Sequence, residues 1–242
     1  MRGRVDAQPA YILHSRPYRE TSLLLEAFSR DHGRVALLAR GARRPYSTLR
    51  GLMLAFQPLE LSWSGKGEVL TLMKAEWQGG QPLLSGAPLF CGYYLNELLV
   101  RLLPREDAHP RLFERYMRIL MQLGHSPRNV VAEAELRSFE RALLGELGYG
   151  LTLDRDHRGL PIDAAGRYDY EIERGPIRRV EQENVRATFA GRTLLDMADD
   201  DYQCTETRSE AKLLMRQLLA HYLNGVELES RRLFRELQGI QP

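Results

Sequence analysis

Thiols are nearly absent from this chain. Its 242 residues include two cysteines, Cys91 and Cys204, far apart and in unlike surroundings. That excludes a disulfide framework and a four-thiolate metal site, and it suits a reducing compartment. Long apolar runs are missing too. Nowhere do 18 apolar residues follow one another, and the opening MRGRVDAQPA has no apolar core of leader length. A cytoplasmic protein that does not enter a membrane is therefore expected. The six histidines never fall in HxxxH or HxH spacing, and there is no HExxH or CxxC. Gly65-Lys66-Gly67 lacks the GxxxxGKS/T frame of a phosphate loop, and Gly145, Gly148 and Gly150 follow a helical pattern rather than a strand. No Ser-His-Asp or Cys-His arrangement can be argued from spacing. The run Asp199-Asp200-Asp201 reads as a solvated loop or capping region rather than a metal-ligand cluster. An enzyme is not expected, and no catalytic residue, metal or cofactor is assigned.

One local absence is more telling. Between Arg34 and Arg50 there is no acidic residue, while Arg34, Arg40, Arg43, Arg44 and Arg50 supply five positive charges in residues 33–51, GRVALLARGARRPYSTLRG. The segment begins as an alternating strand and breaks into a loop with glycine, proline and Tyr46. A glycine-broken backbone can approach phosphate closely. Arginine forks suit phosphate oxygens, and a tyrosine can stack on a base. The charge balance agrees: residues 1–80 carry 12 Lys+Arg against 7 Asp+Glu, residues 81–150 carry 8 of each, and residues 151–242 carry 14 against 17. A basic front with a mildly acidic back fits a polyanion-binding face on an otherwise ordinary soluble protein.

The pattern predicts five strands, at 10–14, 22–28, 34–39, 58–63 and 68–77, with turns at Ser15-Arg16-Pro17, Asp31-His32-Gly33 and 64–67. Five short strands suggest a small barrel, an OB-fold first and an SH3-like barrel or open sandwich otherwise. Arg34, Arg40, Arg43, Arg44 and Lys66 would then lie on or beside a nucleic-acid face of middle strands and loops. After the Gly/Pro/Ser-rich 78–88, helical periodicity predicts helices at 89–103, 111–123 and 129–147, able to bury one another as a bundle. Residues 151–180 read as irregular, with one marginal hairpin turning at Arg174-Gly175-Pro176. Helices return at 206–223, with Thr205 or Thr207 as N-cap, and at 230–237. The expectation is an α+β multi-domain protein. It comprises a five-stranded barrel in 1–80, a mainly α-helical domain in 81–150 and 181–242, and a small hairpin region in 151–180.

Several blocks in order carry a resemblance: 10–25 (AYILHSRPYRETSLLL), 33–51, 56–69 (FQPLELSWSGKGEV), 94–99 (YLNELL), 139–150 (FERALLGELGYG) and 230–234 (SRRLF). Together, over nearly the whole length, they resemble the RecO family of bacterial DNA repair proteins, recombination mediators of the RecF pathway. The resemblance implies an N-terminal OB-fold with a helical domain behind it. It implies binding of single- and double-stranded DNA, annealing of complementary strands, partnership with RecR and with single-strand-binding protein, and indirect help in loading RecA. The basic loop and barrel face make Arg34, Arg40, Arg43, Arg44, Arg50 and Lys66, with Tyr46 for stacking, the candidate DNA contacts. Family members also hold the acidic, apolar C-terminal tail of single-strand-binding protein on the helical domain. Arg137, Arg141 and Arg101 are the candidate cations for its terminal carboxylate, Arg137 first. Many members carry a four-cysteine zinc site after the third helix. Here 151–179 holds no cysteine, and only Asp154 and His157 stand near the first pair's place, so the chain resembles the zinc-lacking branch. The alternatives are a generic OB-fold nucleic-acid binder without mediator activity, and an enzyme with a metal at Asp199–Asp201.

Overall fold

Period-two alternation puts one face of each early segment on a core and so drives it into a strand. The computed structural model describes residues 3–125, 129–179 and 188–237. In it β1 (Val5–Tyr18), β2 (Ser22–Ser29), β3 (Gly33–Ala39), β4 (Leu59–Ser64) and β5 (Val69–Trp77) close a barrel in the order β1-β2-β3-β5-β4. Neighbours are antiparallel except β3 and β5, and β4 pairs back onto β1. This is the expected OB-fold rather than an open sandwich. Ala10, Ile12, Leu25, Leu37, Leu61 and Trp63, each 2% exposed or less, fill its interior. Behind it come α1 (Ala87–Leu102), α2 (Pro110–His125), α3 (Asn129–Glu146), β6 (Arg167–Glu171), β7 (Gly175–Arg178), β8 (Phe189–Ala190), α4 (Gly191–Ala198), α5 (Thr205–Tyr222) and α6 (Glu229–Leu237).

The expected turn at Ser15-Arg16-Pro17 is instead strand: Arg16, Pro17 and Tyr18 pair with Leu24, Leu23 and Ser22. Proline is tolerated there because pairing with β4 ends at Ala10, which leaves β1 an open edge where no amide is needed. A register shift between Ile12 and His14 leaves Leu13 as the extra residue of a bulge. Its carbonyl accepts a hydrogen bond from Asn96 Nδ2 of α1 at 2.8 Å, and Asn96 Oδ1 accepts the Tyr116 hydroxyl of α2 at 2.5 Å. Around this polar node the outward rings Tyr11 and Phe28 meet Phe113 and Tyr116, with centroids 5.2–6.1 Å apart. Burial pushes the Tyr11 hydroxyl up to about 12 and that of Tyr116 well above its ordinary value.

These contacts place α1 and α2 against the barrel. The apolar outer face of β1–β2 needs cover, and α1 and α2 supply it. The chain divides into two compact units, Met1–Ala132 with Glu227–Pro242, and Glu133–Val226. α6 completes the first unit. Phe234 packs on Phe90 at 5.4 Å, and Arg231 bonds the Tyr94 hydroxyl at 2.8 Å. Glu97 of α1 caps α6 from outside, accepting the amides of Glu229 and Ser230 at 2.9 Å and the Ser230 hydroxyl at 2.7 Å. Burial pushes the Glu97 carboxyl up, but these bonds and one from Arg101 together outweigh it and leave it below its ordinary 4.5. A carboxylate with a lowered folded pKa stabilises fully above its unfolded value and loses that contribution as pH falls through the folded one. Glu97→Gln is therefore expected to lower the melting temperature by a constant margin between pH 6 and 8, with the margin closing as pH drops below about 4.5. Thermal melts of both proteins across that range check it; a margin that ignores pH would remove the carboxylate from the argument.

In the second unit β6 pairs with β7 and β8. The hairpin tip is 172–174, because Gly175 already pairs with Glu171, and Glu173 takes the left-handed φ of 70°. Residue 180, at the end of the expected hairpin, lies outside the described residues. α4 was not expected; its apolar positions Leu194 and Met197 are buried, but eight residues show too little period to read. The N-cap of α5 is Cys204 rather than a threonine, because Thr207 turns inward and donates to Asp196 at 2.7 Å.

Candidate nucleic-acid interface

The loop after β3 is stitched down by small and apolar residues. Ala42 and Met53 are buried in the barrel cluster, with Leu49 and Leu52 packed against it. Gly41 takes a φ of 68°, and Arg43 N donates to Thr21 O at 2.8 Å, tying the loop to the β1–β2 turn. Four-residue turns follow, from Arg44 N to Gly41 O, Ser47 N to Arg44 O and Arg50 N to Ser47 O, at 3.0–3.2 Å. Between the stitches Arg40, Arg43, Arg44 and Arg50 are exposed, and none has an ion pair with a carboxylate among the described residues. Tyr46 is fully exposed at 102%, at a φ of 66°. An aromatic held out in the left-handed region, among arginines whose charges are not neutralised by carboxylates, is an unfavourable local arrangement.

The β1–β2 turn adds residues that sequence reasoning missed. Arg19 O accepts Arg43 Nη1 at 3.4 Å, and the Arg19 guanidinium lies 5.4 Å from the Tyr18 ring centre. Arg16 is exposed on the same hairpin. Extending β1 to Tyr18 is what carries this hairpin up to the loop, and reading 15–17 as a turn concealed it.

Arg34 is not part of this group. Its side chain is 14% exposed, Nη1 pairs with Glu26 at 2.9 Å, and Nε donates to Leu103 O at 3.0 Å. Arg105 reaches the other Glu26 oxygen. The end of the outer β2–β3 face nearest their turn is thus covered, with Phe28 and Ala36 2% exposed or less, while the paired Leu24 and Leu38 nearer the loop are half-buried. That end of the strand face an OB-fold commonly offers to an oligonucleotide is not open here. Lys66 is exposed but lies at the other end of the barrel. β5 runs parallel to β3 with Val69 beside Ala36, so Lys66 sits near the level of β3's start and Arg40 just beyond its end, about 20 Å apart along the strands.

The residues expected for a carboxylate tail are likewise committed. Arg137, 7% exposed, pairs at 2.6 Å with Glu140, which is fully buried. Arg141 bonds the Met197 and Ala198 carbonyls at the end of α4 and pairs with Asp200 at 3.2 Å. Asp200 also accepts the Ser138 hydroxyl at 2.8 Å, so this acidic run is docked to α3. Arg101 pairs with Glu97 at 2.9 Å and belongs to the first unit, whereas Arg137 and Arg141 belong to the second.

Among the described residues no group of three or more His, Cys, Asp or Glu is placed to hold a metal. The donors near the family's zinc position do not fit one. The Asp156 carboxylate accepts the amides of Arg158 and Leu160 at 2.8 and 2.9 Å, Asp154 lies 3.6 Å from Arg155, and His157 is the only imidazole in 151–179. Backbone bonds close the segment instead, Ile162 N to Asp154 O at 3.0 Å and His157 N to Pro176 O at 2.9 Å. No helix among the described residues is long and apolar enough to cross a membrane.

Comparison with known proteins covers both units. The family model "Recombination protein O N terminal" matches residues 1–80, and "Recombination protein O C terminal" matches residues 85–232. The protein named DNA repair protein RecO of Dechloromonas aromatica is 60% identical over 240 residues, covering 99% of each chain. Those of Aromatoleum aromaticum and Azoarcus sp. are 57% and 51% identical, each over 98% of both chains.

Proposed function

The chain belongs to the recombination protein O family of DNA repair proteins, and on that premise we propose that it binds single- and double-stranded DNA through the barrel loop and anneals complementary strands. The observation that carries this reading is the cluster of exposed Arg40, Arg43, Arg44 and Arg50 without carboxylate partners, with Tyr46 standing clear of it. The arginines neutralise phosphates and release counterions. Tyr46, with Tyr18 beside Arg19, gives bases a sequence-tolerant stacking surface. A strand so held repels a second strand less, and pairing proceeds without nucleotide hydrolysis. Arg34 acts indirectly, fixing β3 and hence the root of the loop. Lys66 contacts DNA only if a strand runs the length of the barrel.

The finer partnerships are part of the same proposal: RecR, the C-terminal tail of single-strand-binding protein, and RecA loading at one remove, in the cytoplasm on the nucleoid. For the tail, Arg137 would have to share its guanidinium with Glu140. Reversing its charge would set a second carboxylate against the buried Glu140, so lost fold and lost binding would coincide. Membership of the zinc-lacking branch is supported by the absence of cysteine from 151–179.

The test is annealing of complementary strands precoated with single-strand-binding protein, without nucleotide or metal, across a salt series. Annealing that weakens steeply with salt and needs the tail is expected. Binding without annealing would leave a generic nucleic-acid binder, and no binding at low salt would overturn the reading.

A further inference from the structure

Annealing needs two strands held at once, and the barrel loop offers one basic surface. α2 offers another. Its inner side, with Leu112, Phe113, Tyr116, Ile119, Leu120 and Leu123 all 5% exposed or less, is buried, and Phe113 and Tyr116 rest on the barrel rings Tyr11 and Phe28. At 100° per residue the opposite side carries Arg111, Arg115 and Arg118 at i, i+4 and i+7. Arg111 and Arg118 are exposed, and neither has an ion pair with a carboxylate among the described residues. Arg115 is half-buried on the flank, and the exposed Met117 and Met121 add adaptable apolar surface nearby. The one acid on this side, Glu114, is within electrostatic reach of Arg30 on the β2–β3 turn.

The two basic surfaces are well separated. α2 sits on Tyr11 and Phe28, a pair seven residues along β1 from the Tyr18–Ser22 end that abuts the loop. That is about 20 Å, more than two Debye lengths at physiological salt, so phosphates on one surface leave the other unneutralised. From Arg111 to Arg118 the helix rises about 10 Å, the axial reach of about three phosphates of one strand.

We infer that the solvent side of α2 is a second phosphate-binding surface, which holds the backbone of one nucleic-acid strand while the barrel loop holds the other. The inference rests on the proposed DNA-binding function. It is tested with the full chain and two non-complementary oligonucleotides carrying donor and acceptor dyes. Anisotropy reads the affinity of the first strand, and energy transfer reads entry of the second. For Arg111→Glu with Arg118→Glu, first-strand affinity stays within about twofold of the parent. Second-strand affinity and annealing rate fall by 25-fold or more at 0.1 M salt, about 0.7 decade for each lost contact plus repulsion. The neutral pair Arg111→Gln with Arg118→Gln falls between, at an unchanged melting temperature. Equal second-strand entry and annealing in all three proteins would overturn the inference and leave the proposed function standing. A parent chain that binds neither strand would overturn the proposed function, and this inference with it.

Discussion

Arg43→Glu combined with Arg44→Glu is expected to weaken single-strand binding by on the order of 100-fold at 0.1 M salt. Each phosphate contact on a single strand contributes a slope of about 0.7 in log affinity against log salt. Two lost contacts therefore cost about 25-fold, and two reversed charges add repulsion. The salt slope should become shallower by about 1.4. The melting temperature should stay near the parent's, because both side chains are exposed and neither pairs with a carboxylate among the described residues. Anisotropy titrations at four or five salt concentrations read affinity and slope together. Arg34→Gln is the contrasting case: it leaves Glu26, 16% exposed, short of one of its two arginines, and its signature is lost stability. If the double reversal left the slope unchanged, the loop would be solvated surface and phosphate binding would have to be sought elsewhere.

Gly33→Ala is expected to be the most damaging methyl that can be added to the barrel. Gly33 has a φ of 64°, and a Cβ there would lie 1.7 Å from the Asp107 carbonyl oxygen. Neither side can easily give way, because Glu106 N donates to Arg34 O at 2.9 Å and Arg34 is itself pinned to Leu103. The left-handed backbone alone costs an alanine about 1 kcal/mol, and the displaced backbone contact takes the total to roughly 3 kcal/mol or more. For a chain of this length that is a fall in melting temperature of about 6–12 °C. Gly80→Ala is the control. Its φ of 81° carries the same backbone penalty, but nothing lies within 4 Å of the added carbon, so the loss should stay near 1 kcal/mol. Thermal melts of the two variants side by side decide it. Equal losses would mean that the approach of Asp107 to β3 is loose, and that the seal over β2–β3 is weaker than its geometry suggests.

Much of the architecture was legible because it is local. The five strands alternate at period two, α1, α2 and α5 show a helical period, and the arginine loop is conspicuous for its missing acids. What stayed hidden depends on distant residues. That α1 and α2 cover the barrel follows from outward Tyr11 and Phe28, whose burial no pattern within 81–150 reveals. Arg34 looked like its neighbours in sequence, yet Glu26 faces it across the β2–β3 hairpin, and Leu103 comes from the far end of α1. Arg137 and Glu140 are three apart on one helix, so their pairing was foreseeable; the depth of that pair was not, because it depends on packing within the second unit. Pro17 signalled a turn, but an open strand edge removed the need for its amide.

The return of α6 to α1 bears on how the chain is made. Translation delivers the barrel, α1 and α2 first, then the roughly ninety residues of Glu133–Val226, and only then the helix that covers Phe90 and Tyr94. At about 5–20 residues per second the emerging barrel waits some 5–20 s with that flank of α1 bare. A ribosome that stalls in this interval releases a polypeptide whose first unit is built but unsealed, with the Glu97 carboxylate lacking its amides. Proteases and chaperones that sample nascent chains would therefore meet an apolar stripe on unfinished copies that finished ones hide.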